Sequence, residues 1–238
     1  LLNTGQAGGF DNNDIYAPEA WKSINQSPNV TVAVIDSGID RLHPDLNSNM
    51  WVNYDDPING IDDDNNGYID DLNGWDFYNW DNDPTPFIDY YDLYNSSLDN
   101  DHGTHVAGII GASGNNNLGI SGVSWNVDLM NLKVFSDYGN TSGAIGLLQA
   151  IYYAANNGAD IINLSLGFTP SIETQYGSLK NLYPLTFNEW ISGNQSLYNH
   201  FYEAFKYAAD KGVFIVASIG NDGHFEGQYP GSGNTSKY

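Results

Sequence analysis

Three short segments carry side chains that suit acid–base chemistry. Asp36 stands in AVIDSGID, His102 in NDHGTHVAG and Asn221 in VASIGNDG. A carboxylate beside an imidazole makes a general base, because it holds one ring tautomer and stabilises the imidazolium that forms. An Asn amide can donate to a developing oxyanion. Each segment alone also fits a structural role as a turn or helix cap, and His102 with His105 also has the spacing of a metal pair.

Apolar, β-branched runs alternate with amphipathic stretches along the chain. The runs predict strands over 30–36, 128–135, 161–166 and 213–218, and the amphipathic stretches predict helices over 142–157 and 196–211. This alternation predicts an α/β fold, a doubly wound and mainly parallel sheet with helices on both faces. Functional groups of such folds gather at the carboxyl ends of the strands. Asp36, 165–167 and Asn221 fall at those ends.

Composition limits the classes of function. The 238 residues suit a single domain, and 7 Lys and Arg against 29 Asp and Glu give a charge of −22, which disfavours nucleic acid and membrane surfaces as partners. The absence of cysteine excludes disulfides and Cys nucleophiles. Residues 47–101 hold 14 Asp and no Lys or Arg, and they are interpreted as an acidic insertion. A long loop is predicted over 168–195.

The order of four motifs resembles the subtilisin-like serine proteases, the subtilases. The motifs are DSGID, HGTHVAG, NLSLG and GNDG, and the resemblance runs from about residue 17 to residue 223. It implies that Asp36 is the triad Asp, His102 the general base and Asn221 the oxyanion donor. It also implies two backbone edges that bind an extended peptide, formed by Gly139, Asn140 and Thr141 and by Ser165, Leu166 and Gly167. One wall of a specificity pocket would be formed by Ser218, Ile219 and Gly220.

The fourth motif of the family, a Ser nucleophile in a GTSMA-like turn that opens a buried helix, is absent. Its nearest counterpart is GNTSKY, where Ser236 lies 15 residues after Asn221 and has two residues behind it. We therefore expect 1–238 to be a single, incomplete catalytic domain that lacks its C-terminal part. The nucleophile would come from a further C-terminal segment or from another chain, and these residues alone would be inactive.

The stretch DDDNNGYIDDLN, residues 62–73, matches the first nine positions of an EF-hand-like calcium loop. Asn73 stands at position 12 in place of Glu, so Asp71, or an outside carboxylate such as Asp76, would complete the site. A solvated acidic turn is the alternative. The predicted Ca²⁺ ligands are Asp62, Asp64, Asn66, the carbonyl of Tyr68, Asp70 and Asp71.

A second calcium site is implied by the resemblance alone. Its ligands would be Asp45, Asn116, the carbonyls around Leu118 and Ile120, and Gln6.

Together these features predict a calcium-stabilised serine endopeptidase, secreted or at the cell surface, that cleaves polypeptide substrates by acyl transfer. A non-catalytic pseudoprotease or calcium-binding interaction module with the same fold is the alternative. A nucleotide-binding domain is disfavoured, because no strand is followed by GxGxxG or by a Walker Lys.

Overall fold

The computed structural model describes residues 14–87, 100–137, 139–166 and 187–218, with the backbone alone described for 139–142 and 187–195. The helices are α1 (Ala17–Ala20), α2 (His102–Gly111), α3 (Ala144–Asn156) and α4 (Phe187–Asp210), and a short 3-10 helix covers Asn47–Asn49. The strands are β1 (Thr31–Asp36), β2 (Trp75–Asp76), β3 (Asp128–Lys133), β4 (Phe135–Ser136), β5 (Gly139–Ser142), β6 (Ile161–Leu164) and β7 (Phe214–Ala217).

A parallel sheet forms the centre of the described residues. Its five strands run in the order β2, β3, β1, β6, β7, and every neighbouring pair is parallel. Strand β1 lies in the middle, with all six of its residues buried. A strand covered on both faces needs an unbroken apolar run, and residues 32–35, VAVI, supply one.

The two faces of β1 enter two different cores. Val32 and Val34 pack in the cluster that includes Ala107 of α2. Ala33 and Ile35 pack in the cluster that holds apolar residues of α3 and α4. Helices therefore cover both faces of the sheet, and the predicted doubly wound α/β fold is confirmed.

Helix α4 corrects the predicted loop over 168–195. It begins at Phe187 and reaches Asp210, so its first nine residues lie inside the stretch expected to be a loop. Aromatic and aliphatic residues at 187, 190, 191, 197, 198 and 201 recur at steps of three, four or seven, which keep one helix face and continue into the predicted helix. The rest of that stretch, 168–186, lies outside the described residues.

One strand and one hairpin were not predicted from the apolar pattern, although the resemblance implies an edge at 139–141. Strand β2 lies within the acidic insertion and pairs with the end of β3, Trp75 opposite Leu132 and Asp76 opposite Lys133. Strands β4 and β5 form an antiparallel hairpin directly after β3. Runs of two to four residues are too short to show a period, so the sequence carries no clear signal for them.

Candidate active site

Asp36 and His102 form a hydrogen-bonded pair at the carboxyl edge of the sheet. Asp36 is the last residue of β1 and is almost fully buried, whereas His102 is the first residue of α2 and its side chain is 44% exposed. Nδ1 of His102 lies 2.8 Å from Oδ1 of Asp36. A carboxylate only accepts hydrogen bonds, so Nδ1 carries the ring proton and Nε2 is left as the basic atom.

The carboxylate of Asp36 is held from one side. The backbone N–H of Ser37 donates to the same Oδ1 at 2.7 Å, which fixes the side chain against its own strand end. The other oxygen, Oδ2, is buried and has no hydrogen-bond partner among the described residues. The exposed His102 ring is thus the side-chain partner of the buried Asp36 carboxylate.

Gly103 allows helix α2 to approach β1 closely enough for this pair to form. A methyl group at Gly103 would lie 2.4 Å from the carbonyl oxygen of Gly38 and 3.1 Å from Cβ of Asp36. Any side chain there would push the first turn of α2 away from the strand end. The Gly of HGTH is therefore a packing requirement of the Asp36–His102 contact.

The described residues of the predicted substrate-binding set follow β6 and β7 of the parallel sheet or lie in the separate β4–β5 hairpin. Ser165 and Leu166 follow β6, and Ser218 follows β7, where its hydroxyl donates to the carbonyl of Leu166 at 3.2 Å. Residues 139–141 belong to β5, whose backbone pairs with β4. Gly167, Ile219, Gly220 and Asn221 lie outside the described residues.

Three carboxylates meet in the acidic loop, and one of them was not predicted. Asp56, Asp62 and Asp64 each offer an oxygen that lies within 4.8 Å of the others. Asp56 is fully buried, and its two oxygens accept the backbone N–H groups of Asp63 and Asp71. It precedes the matched EF-hand positions, so no loop spacing identifies it. The only sequence signal for a further carboxylate ligand was the high Asp content of the whole stretch.

Asn66 lies against this cluster, but the loop uses Asp70 differently from an EF-hand. The amide of Asn66 donates to Asp64 at 3.0 Å and to Asp71 at 2.8 Å. Asp70 has a positive φ of 60°, and its carboxylate accepts the backbone N–H groups of Asn59 and Gly60. Asp70 therefore closes the neighbouring turn and does not join the other carboxylates.

Asp71 is buried between the loop and the core. Its oxygens accept Nδ2 of Asn53 at 2.6 Å, Nδ2 of Asn66, and the hydroxyl of Tyr153 of α3 at 2.6 Å. Burial raises the pKa of Asp71, although these three hydrogen bonds act in the opposite direction. Burial and the Asp71 charge also raise the pKa of Tyr153, which keeps its hydroxyl a donor.

Asp76 does not complete the loop. Its carboxylate accepts Nζ of Lys133 at 2.8 Å and Nδ2 of Asn79 at 3.1 Å, and both members of the Lys133 pair are almost fully buried. A buried cation already neutralises this carboxylate.

Tyr68 contributes a ring as well as a backbone carbonyl to the loop. The ring packs edge to face against Trp75, Phe77 and Tyr153, with centroids 5.0 to 5.6 Å away. It anchors the middle of the acidic loop to the core on the α3 side of the sheet.

The second predicted metal set comes together in part. Asp45 is buried and accepts Nδ2 of Asn116 at 2.7 Å and the backbone N–H of Ile120 at 3.0 Å. The backbone N–H of Leu118 donates to Oδ1 of Asn116. Coordination by Asn116 would require its amide to turn its oxygen toward Asp45. Gln6 lies outside the described residues.

A strand-end carboxylate that orients the imidazole of a following helix defines the acid–base part of a triad hydrolase. A family model described as the subtilase family matches residues 27–238, and the chain belongs to this family of subtilisin-like serine proteases. Among the described residues, no helix combines the length and apolar character that a membrane span requires.

Two relatives support the same assignment. Thermitase of Thermoactinomyces vulgaris is 30% identical over 216 residues, which are 91% of this chain and 56% of thermitase. A thermophilic serine proteinase of Bacillus sp. is 32% identical over 209 residues, 87% of this chain and 37% of that protein. The chain thus spans little more than half of the one and about a third of the other.

The solved structure of a lanthipeptide protease shares the fold. It superposes with a TM-score of 0.53 at 22% identity, over 85% of this chain and 43% of that one. An identity this low supports the fold alone.

Proposed function

We propose that this chain supplies the Asp and the His of a subtilisin-type serine endopeptidase, which hydrolyses peptide bonds by acyl transfer. The observation that carries the proposal is the 2.8 Å contact between a buried Asp36 and an exposed His102. A buried, oriented carboxylate holds the ring tautomer that leaves Nε2 free to accept a proton, and the exposed ring remains open to a substrate. Relatives named as serine proteinases support the same chemistry.

Each group has a defined task in this reaction. Nε2 of His102 takes the proton of the nucleophilic Ser and later returns it to the leaving amine, while Asp36 stabilises the imidazolium between the two steps. Asn221 donates its amide to the oxyanion. The 238 residues contain no Ser in the motif that the family uses, so the nucleophile comes from a C-terminal segment or chain beyond them.

The substrate is an extended polypeptide bound between two backbone edges. One edge is the β4–β5 hairpin at 139–141, and the other is 165–167 after β6. Backbone pairing accepts many sequences, because each bond uses groups that every residue carries. Residues 218–220 form one wall of the pocket that selects a side chain.

Calcium is the ion that the acidic loop is suited to hold. Its carboxylates are oxygen donors, which Ca²⁺ prefers, and two like charges about 4 Å apart repel by about 4 kcal/mol at an effective dielectric of 20. No Lys or Arg occurs between Arg41 and Lys133. Asp56, Asp62 and Asp64 would hold the ion, with Asn66 beside them. The ion supplies charge balance and loop closure and takes no part in the chemistry.

The location that fits such a site is outside the cell or on its surface. Calcium sites of extracellular modules bind in the range of about 10⁻⁴ to 10⁻³ M, so they fill only where the free ion is abundant. The acidic composition without cysteine is compatible with this location.

A peptidase assay tests the proposed function. It uses the polypeptide that joins these residues to a serine-bearing C-terminal segment, with a peptide substrate and a fluorophosphonate probe for the nucleophile. We expect hydrolysis that falls by about 10⁴-fold in Asp36→Asn, where the ring is held in the wrong tautomer, and by at least about 10²-fold in His102→Ala.

The 238 residues by themselves should show neither turnover nor labelling. Labelling of Ser236 in them would mean that the nucleophile lies inside the chain. Absence of turnover and of labelling in the longer polypeptide would overturn the proposal in favour of a pseudoprotease or a binding module.

A further inference from the structure

The hydroxyl of Ser37 joins the end of β1 to the first turn of α2. Its oxygen accepts the backbone N–H of Gly103 at 3.0 Å. Its proton is donated to the carbonyl of Asn100 at 3.2 Å. One bond reaches Asn100, two residues before His102, and the other reaches Gly103, directly after it. A single hydroxyl, used as donor and acceptor at the same time, therefore holds the segment on both sides of the base.

The side chain of Asn100 extends this connection in the opposite direction. Its Nδ2 donates to the carbonyl of Asp137 at 2.8 Å. Asp137 precedes β5 by two residues, and Asn100 precedes His102 by two residues. A single amide therefore links the segment that carries the base to the hairpin that presents 139–141.

The receiving end of this link is itself fixed. The carboxylate of Asp137 pairs with Nζ of Lys133 at 3.0 Å and accepts Nδ2 of Asn79 at 3.0 Å. The Lys133 side chain is almost fully buried and also pairs with Asp76. The carbonyl that Asn100 binds thus belongs to a residue anchored in the sheet on its other side.

We propose that Asn100 is a positioning residue that holds His102 and the peptide-binding hairpin at a fixed distance from each other. The inference rests on the proposed function, because it takes His102 as the base and the hairpin as a substrate edge. The side-chain amide of Asn100 donates to the carbonyl of Asp137, whereas the His102 ring contacts Asp36. Asn100 acts by fixing how far the bound peptide backbone lies from Nε2 of His102.

The expected effect depends on substrate length. Misplacing reacting groups by about 1 Å can cost about 10²-fold in rate. An extended peptide is placed by the hairpin and suffers this cost when the link is lost. The ester of a single acylated amino acid does not reach the hairpin, so it is placed by the pocket near the nucleophile alone.

The test compares Asn100→Ala with Asn157→Ala in the polypeptide that carries the serine-bearing segment. Asn157 is a matched control, because its Nδ2 also donates to a backbone carbonyl, that of Tyr153 at 3.0 Å, at the far end of α3. For Asn100→Ala we expect kcat/KM on an extended peptide to fall by about 10-fold, and on the ester by no more than about 3-fold. Asn157→Ala should not separate the two substrates.

Hydrogen exchange of the 238-residue chain supplies a readout that needs no activity. The backbone amides of 139–142 should exchange about 10-fold faster in Asn100→Ala than in the unaltered chain or in Asn157→Ala, because the hairpin loses an anchor.

The outcomes separate the two proposals. Equal losses on both substrates, or unchanged exchange at the hairpin, would overturn the role of Asn100 while leaving the protease assignment in place. An unaltered polypeptide that cleaves neither substrate would overturn the protease assignment, and the positioning role would fall with it.

Discussion

At the scale of single residues, the candidate site depends on the absence of one carbon atom. Gly103 brings His102 to Asp36, because a Cβ at this position would collide with the carbonyl of Gly38 at 2.4 Å. Gly108, five residues further along α2, has no such neighbour, since a Cβ there would lie 3.5 Å from Ile120. The sequence alone does not show which of these two glycines is required by close packing, whereas the structure does.

Alanine at the two positions should therefore act in opposite directions. We expect Gly103→Ala to lower the free energy of unfolding by about 1–3 kcal/mol through overpacking. Gly108→Ala should raise it by about 0.5–1 kcal/mol, because Ala is the better helix former. Urea denaturation of both variants measures this difference.

The His102 ring gives a second readout of the same substitution. In an NMR spectrum, the proton on Nδ1 of His102 should exchange with water faster in Gly103→Ala than in the unaltered chain, because Oδ1 of Asp36, which accepts it, has moved away. Equal exchange of this proton in Gly103→Ala and Gly108→Ala would contradict this account of the pair.

At the scale of elements, the sequence predicts strands and helices long enough to show a hydrophobic period, and its apolar pattern does not predict the short strands β2, β4 and β5. Strand β1 and helix α3 follow from an apolar run and from a period of three and four, and Asp36 and His102 follow from their motifs. The hairpin β4–β5 and strand β2 are too brief to show a period. Asp56 was not predicted, because it lies outside the EF-hand-like spacing and comes close to Asp62 and Asp64 only when the loop is folded.

Tyr153 connects two elements, since its hydroxyl on α3 donates to the buried carboxylate of Asp71 at 2.6 Å. Tyr153→Phe removes a hydrogen bond to a charged group, so we expect a loss of about 1.5–3 kcal/mol, or roughly 3–12 °C in Tm. Tyr152→Phe is the control, because the ring that packs against Tyr207 is kept. Calorimetry that found equal Tm values for the two variants would show that the Asp71 contact adds nothing to stability.

Calcium should stabilise the acidic loop and, through it, the sheet edge. At about 100 times its dissociation constant, calcium should add about 2.7 kcal/mol, or roughly 5–10 °C in Tm, and chelation should remove this and increase proteolysis within about 53–101. Asp56→Ala and Asp64→Ala should abolish the calcium response, whereas Asp55→Ala should retain it. Asp55 is an exposed neighbour outside the carboxylate cluster. A calcium-independent Tm in the unaltered chain would leave the loop as a solvated acidic turn.

At the scale of the whole molecule, a net charge of −22 opposes compaction. In the presence of chelator, raising NaCl from about 0.1 M to 1 M shortens the screening length from about 10 Å to 3 Å, so Tm should rise. The rise should remain below the one that calcium gives, because sodium screens repulsion without closing the loop. Thermal melts in both salts measure the difference, and an equal rise would indicate that screening alone is sufficient.

The order of strands also determines when the sheet can be assembled during synthesis. Strand β1 is central, yet Thr31 pairs with Asp128, 97 residues later, and Val32 pairs with Ile161, 129 residues later. At about 5–20 residues per second, the ribosome needs about 5–20 s to deliver even the first partner. During that time the chain exposes TVAVID, a short and strongly β-forming apolar segment, without a neighbour. An exposed segment of this kind is an aggregation hazard until β3 emerges.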